Sequence, residues 1–184
     1  TLPDTNMLMG TINELSNSMA SSAPEILTVV RGVAALGQQA GLTGQQTAAL
    51  ASSMIAAGAN ASIARTATKN LFLALGQGDA ATDKTRKALK KLGLTSVELA
   101  KSMQEDSEGT IRDVFSRIQG LSADKRTPVI TQLFGKVSAG AIGPLISNLG
   151  LLDKAFEKAN DTAGAATSVQ REFDSRASTT ANTM

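Results

Sequence analysis

Glu105, Asp106 and Glu108 form the densest acidic cluster of the chain. Paired carboxylates can carry general acid–base chemistry or hold a hard cation. These three sit where one short helix ends and the next begins, and negative charge at a helix start is ordinarily a cap. Gly76-Gln77-Gly78-Asp79 stands ahead of a helix, where a glycine turn can cradle a phosphate. It follows a helix rather than a strand and lacks the spacing of a P-loop or a dinucleotide fingerprint, so a linker is the better reading. Lys84, Arg86, Lys87, Lys90 and Lys91 form a basic run. No aromatic residues interleave with it to stack bases, and one face of the same helix is apolar, so the run reads as a solvated face. Met7, Met9, Met19, Met54 and Met103 fall at helical spacings and suit a core or a helix seam.

What is missing narrows the chemistry further. The chain has 184 residues with no histidine and no cysteine. The commonest transition-metal ligand, the usual general base near neutral pH and all thiol chemistry are therefore absent. Serines are plentiful, but none has a histidine or an evident Ser-x-x-Lys partner to activate it. We assign no catalytic, cofactor-binding or metal-binding residue, and expect no enzyme. A net charge of +2 gives no strong pull toward nucleic acid or anionic lipid. No window approaches the ~18 consecutive apolar residues of a membrane span. The start, Thr1-Leu2-Pro3-Asp4, is neither a signal peptide nor an initiator methionine, and the chain reads as a piece of something longer.

The elements that position these residues are helices. There are five Phe, no Tyr and no Trp, so the core is built from aliphatic residues, Met and Ala, an inventory that suits helices packed through small residues. The expected fold is all-α, a compact multi-helix orthogonal bundle with helical arms at both ends. Leu8, Ile12, Leu15 and Met19 form a coiled-coil-like seam between Asp4 and Ala20. Ser22-Ala23-Pro24-Glu25 has the form of a capping box with proline in the first turn, which places a break near Ser22 and a second helix from Ala23 to Ala40. Gly41-Leu42-Thr43 can end one helix and cap the next, and Gly93-Leu94-Thr95 and Gly120-Leu121-Ser122 repeat the pattern. Thr43 with Gln46, and Thr95 with Glu98, complete capping boxes.

Between these stops the spacing predicts helices over Thr43 to Ala57, Ala61 to Gly78, Ala80 to Leu92, Ser96 to Gln104, Glu108 to Gln119, Ala123 to Phe134, Ser138 to Asn148 and Leu151 to Asn160. Pro128 should kink the sixth of these or start it. Ala61 to Gly78 looks like the organising helix. Its first half is amphipathic, whereas Phe72 and Leu73 carry apolar bulk onto the polar side, so Leu71 to Leu75 should be covered all round at the centre of the core. From Ala165 to Met184 only Val169, Phe173 and Ala177 form a thin stripe, which makes that helix dependent on a partner. The expected division is an arm over residues 1–22, a core over 23–163 and an arm over 164–184.

Several pieces of this sequence, taken in order, resemble the core region of the phage tail tape measure protein family. They are Gly41-Leu42-Thr43 with Gln46, Thr47, Ala48 and Leu50; Lys69-Asn70-Leu71-Phe72-Leu73-Ala74-Leu75-Gly76-Gln77-Gly78; and Leu89-Lys90-Lys91-Leu92-Gly93-Leu94. The pattern continues through Leu99-Ala100-Lys101-Ser102-Met103-Gln104-Glu105-Asp106, Gly109-Thr110-Ile111, Gln132-Leu133-Phe134-Gly135 and Arg176-Ala177-Ser178-Thr179-Thr180-Ala181-Asn182.

The resemblance implies a structural component of the tail of a phage or prophage. Such proteins lie along the tail-tube lumen during assembly in the host cytoplasm, set tail length in proportion to their own, and leave the tube ahead of DNA at genome ejection. It also implies partners: the tail tube protein, tail assembly chaperones and baseplate or tail-tip proteins. Family members are usually longer, with apolar segments or wall-degrading modules elsewhere, and no catalytic residues belong to this core pattern. Self-association through the two helical arms, as coiled coils, is the expected oligomeric mode, and no specific nucleic-acid binding is expected. The competing readings are a membrane-active or host-contacting helical segment used during genome delivery, and an enzyme module, which the missing histidine makes the weaker.

Overall fold

The computed structural model describes residues 2–168 and 170, and among them it contains helices and no strand. Ten α-helices follow one another: α1 (Leu2–Ser18), α2 (Ala23–Gln39), α3 (Gly44–Ala56), α4 (Ala61–Gly76), α5 (Asp83–Lys90), α6 (Ser96–Glu105), α7 (Ser107–Gln119), α8 (Ala123–Phe134), α9 (Lys136–Ser147) and α10 (Leu149–Asn160). Residues 162–168 are again helical. The stripe Val169, Phe173, Ala177 and the motif from Arg176 to Asn182 lie outside the described residues.

Local chemistry sets most of these boundaries. Glu25 accepts hydrogen bonds from the Ser22 backbone N–H (3.0 Å) and the Ser22 hydroxyl (2.6 Å), which fixes the start of α2. Thr43 and Gln46 form the complete reciprocal box at α3, with the Gln46 N–H donating to Thr43 Oγ1 and the Thr43 N–H to Gln46 Oε1. At α6 the box is incomplete: the Glu98 N–H donates to Thr95 Oγ1, but the Glu98 carboxylate turns to the Thr95 hydroxyl at 2.7 Å. Gly41 (φ +87°) and Gly93 (φ +71°) take the left-handed conformation that ends a helix, and the amide after each reaches back to Gly37 and Leu89 respectively. Gly120 does not: it remains right-handed at φ −69°, so the third copy of the junction ends α7 by a different turn.

Other boundaries depart from the spacing. The helix expected over Ala80 to Leu92 is two elements, a 3-10 turn at Gly78–Ala80 and α5. Thr82 splits them, because its Oγ1 accepts the Thr85 N–H and caps a new helix there. Pro128 neither starts α8 nor breaks it; the helix runs through it from Ala123 to Phe134.

The core differs from expectation in its centre. Thr47 to Ile55 of α3 are all buried, nine consecutive residues, and α1, α2, α4, α9 and α10 pack around them. Within α4, Leu71, Phe72, Ala74 and Leu75 are buried, but Leu73 is 43% exposed. The helix that is covered all round is therefore α3, which bears no charged residue. At 100° per residue Leu73 stays on the face of Lys69, and no neighbouring helix reaches over it.

The N-terminal arm is part of the body. α1 lies against α2, α3 and α10, with Ile12 and Leu15 buried. Lys154 Nζ donates to the Ser18 carbonyl at 2.6 Å, and Lys158 pairs with Glu14 at 3.4 Å. Beyond α10, Asp161 Oδ1 accepts the Gly164 N–H and starts helix 162–168. That helix comes back onto α1, where Asn13 Nδ2 donates to Ser168 Oγ at 2.9 Å and Gly10 faces the backbone of Ala165. Only a glycine fits there, since a Cβ on residue 10 would overlap the Ala165 carbonyl. The seam residues Ile12 and Leu15 thus meet the chain's own helices.

Candidate functional site

The acidic trio at the junction of α6 and α7 separates into three local roles. Asp106 Oδ1 accepts the Gly109 N–H at 2.9 Å and caps α7. Glu105 pairs loosely with Lys101 at 3.7 Å, both exposed. Glu108, largely buried, points the other way: it pairs with Arg112 (3.1 Å) and accepts from Asn160 Nδ2 (3.0 Å) and Gln46 Nε2 (3.4 Å). The three carboxylates do not converge on a common point. Among the described residues no group of three or more acidic side chains is placed to hold a metal ion.

Arg112 extends the Glu108 contact into a clasp. Its second arm reaches Asp153 at 2.7 Å, and its guanidinium lies 5.4 Å from the centre of the Phe156 ring. Through Glu108, Arg112, Asp153, Phe156 and Asn160 the clasp ties α7 to α10, with Gln46 adding α3. Nothing in the sequence spacing joined α7 to α10 here; of the bonded pairs only Arg112 and Glu108 lie within one helix, at the i,i+4 separation that favours an ion pair. Its geometry is that of a structural tie, since each charged group already has a partner.

Gly76-Gln77-Gly78-Asp79 forms the end of α4 and the 3-10 turn, with the Asp79 carbonyl accepting from Arg86 at 3.3 Å. Asp79 in a single short turn presents no ring of amides. The basic run behaves as a solvated face: Lys84, Arg86, Lys87, Lys90 and Lys91 are exposed, while Thr85, Ala88 and Leu89 face the core. Arg86 pairs with Asp83 at 3.6 Å, and Lys91 donates to Gln132 Oε1 at 3.3 Å. Met54 and Met103 are fully buried, whereas Met9 is 43% exposed, so the methionines divide between core and surface.

Concavities of three kinds stand out among the described residues. One, about 320 Å³, is lined by Leu36, Phe72, Leu73 and Gln77, and the Gln77 Oε1 is buried without a hydrogen bond. The second, about 300 Å³, runs between α6 and α7 over Leu94 and Leu99, with Glu98, Glu105, Asp106 and Asp113 about it. The third, about 560 Å³, lies beside α8 with Leu121, Pro128 and Val129 as apolar lining and Lys91 and Lys125 among its walls. None of the three brings a nucleophile together with a base.

Among the described residues two carboxylates titrate away from their ordinary range. The Ser22 hydroxyl, and then the Ser22 N–H, hold the Glu25 carboxyl below it; the Ser122 hydroxyl does the same for Asp124 at the start of α8. Both stand in the first turn of a helix.

Fold and surface together define a helical packing module whose polar clusters serve as caps and ties. The chain belongs to the family of phage-related minor tail proteins, whose model matches it over residues 2–135. It is 36% identical over 171 residues to a protein of Halomonas phage phiHAP-1 named "Probable tape measure protein", an alignment that covers 93% of this chain and 20% of that protein. The chain thus spans about one fifth of the length of the curated relative it matches. No solved structure matches it. Among the described residues, no helix is long and apolar enough to cross a membrane.

Proposed function

We propose that this chain is a folded helical node of a tape measure protein, which takes part in tail assembly and in setting tail length within the tube lumen, and leaves ahead of DNA at ejection. The observation that carries the reading is the likeness to the probable tape measure protein of phage phiHAP-1 along 93% of this chain. The physical features that support it are polar clusters that serve as caps and ties and a body held by helix packing and a few ion pairs between helices. The role is mechanical rather than enzymatic, and its partners are the tube and tip proteins that surround such a chain.

The test is an in-frame duplication, and separately a deletion, of the segment that encodes residues 2–168 in the intact gene, with tail length read by electron microscopy. As one continuous helix, 167 residues span roughly 250 Å at ~1.5 Å per residue. As the folded body they span only about 40 Å, from the usual scaling of domain size with length. A lengthening on duplication and a matching shortening on deletion, between these two values, is the expected result. Tails of unchanged length in both variants would refute a part in length determination.

A further inference from the structure

Helix 162–168 is held to the body by one face. Thr162, Ala163, Ala166 and Thr167 are exposed, while Ala165 and Ser168 are buried. A helix this short does not persist in water by itself, so its neighbour keeps it wound. Both buried residues meet α1. Ala165 presents its backbone to Gly10, and Asn13 donates to the Ser168 hydroxyl at 2.9 Å and to the Ser168 carbonyl at 3.3 Å. With no Cβ at Gly10 to hold them apart, the two backbones interlock as well as bond.

The order of these pairs fixes a direction. About one turn along α1, from Gly10 to Asn13, corresponds to one turn along the last helix, from Ala165 to Ser168, so the two run the same way. α10 runs the opposite way: Lys158 pairs with Glu14, and Lys154, a turn earlier, reaches the Ser18 carbonyl, a turn later. Tension along the chain pulls α1 by its Leu2 end and helix 162–168 by its Ser168 end. The parallel pair is then drawn in opposing directions along one axis, and the Gly10 contact and both Asn13 bonds resist together. Once that pair has parted, the pull passes to the Asn160 end of α10. There α1 and α10, being antiparallel, are drawn apart from neighbouring ends, so the Lys158 pair and the Lys154 bond open one after the other.

We propose that helix 162–168 is a strap that holds α1 in the body when the chain is under tension, and that its release frees α1 and uncovers the side of α3 that α1 packs on. Shear across the strap sets the force, and the peeling of α1 from α10 follows at lower force. That tension arises in a tail rests on the tape measure reading above; the strap itself does not.

Optical-trap pulling of the whole chain tests this without any tail, so its failure leaves the tail-length reading standing, and the reverse holds too. The chain has no cysteine, so handles attach only at cysteines placed for them. T1C/Q170C loads the strap in shear, whereas N17C/Q170C loads the same contact from one end. The first opening should need the higher force in T1C/Q170C. Adding N13A to T1C/Q170C should speed that opening roughly fivefold or more, the worth of an ordinary hydrogen bond. Adding R112M, at a tie outside the strap, should leave it unchanged. Circular dichroism melts verify that each variant is folded. Equal opening forces in the two geometries overturn the proposal. So does a folded N13A variant that opens at the native force, or an R112M variant that lowers the force as much as N13A does.

Discussion

Replacing Phe115 by alanine removes the ring at the meeting point of α7 and α8. Phe115 is fully buried, and its ring stands edge-on to Phe134, centroids 6.5 Å apart and planes at 79°. Truncating a buried phenylalanine costs about 3–5 kcal/mol through lost transfer energy and the cavity left behind. Typical domains are stable by only about 5–15 kcal/mol, so the variant should retain a fold with a small margin. For a chain of this size the melting temperature should fall by roughly 6–20 °C. The protein has no Trp or Tyr, so far-UV circular dichroism in a urea series is the suitable readout. A double-mutant cycle with F115L and F134L isolates the edge-on pair, for which a coupling of about 0.5–1.5 kcal/mol is expected. A loss below about 1 kcal/mol for F115A would refute the placement of α7 against α8, because no buried phenylalanine of that contact density is so cheaply removed.

The remaining predictions concern glycines, a clasp and a cap. Gly10→Ala drives a methyl into the Ala165 carbonyl, so it should lift helix 162–168 from α1 at a cost of about 1–3 kcal/mol; limited proteolysis that still spares residues 162–168 would contradict the close approach. Gly41→Ala and Gly58→Ala both place a side chain at positive φ, but only the Cβ at residue 41 meets the Met103 carbonyl while residue 58 opens to space. The first should be the more destabilising by at least about 1 kcal/mol in urea titrations, and equal losses would discount that contact. Arg112→Met should cost roughly 1–2 kcal/mol, since Glu108 loses its partner and Phe156 its cation, and lysine should not recover the two-directional contact; a wild-type urea midpoint in R112M would show the clasp to be idle. Glu25 has a lowered pKa in the folded state, so its contribution to stability is present above the ordinary glutamate range and is lost as pH falls through the lowered value. The urea midpoint of Glu25→Gln should therefore approach that of the native chain in acid and lie below it near neutrality, and parallel pH profiles would count against the Ser22 bonds as the cause.

Helix stops were legible because they are written locally. Ser22 with Glu25, Thr43 with Gln46, and the left-handed Gly41 and Gly93 each act within a few residues, and the structure places them as spacing implies. Thr82 carried the same signal and was overlooked, because the apolar positions Ala81, Thr85, Ala88 and Leu89 continue in helical phase across the break. Leu73 was misplaced for a different reason. Apolar bulk around a helix requires cover only if a neighbour arrives, and the arrival of a neighbour is a long-range fact. The same holds for Asn70, which donates to the Phe134 carbonyl at 3.1 Å and to Ser138 at 2.9 Å, and for Gln119, which donates to the Ile146 carbonyl at 2.8 Å. No periodicity announces such bonds. The acidic trio was read correctly at Asp106, a cap, while the bond from Glu108 to Asn160 spans 52 positions and is invisible to any local rule.

The burial of α3 has a consequence for how the body comes apart. A 13-residue helix without a charge, rich in alanine and serine, is marginal on its own in water and owes its persistence to five surrounding helices. Its amides should therefore exchange with solvent only when the whole body opens, while the exposed turns exchange locally and fast. α1, α2, α4, α9 and α10 all pack on α3, so the retreat of any one of them uncovers part of it. That group of helices consequently has two states worth distinguishing, shut and undone, and a pull on it meets a threshold rather than a spring. Extension through such a unit is released in one step of fixed size.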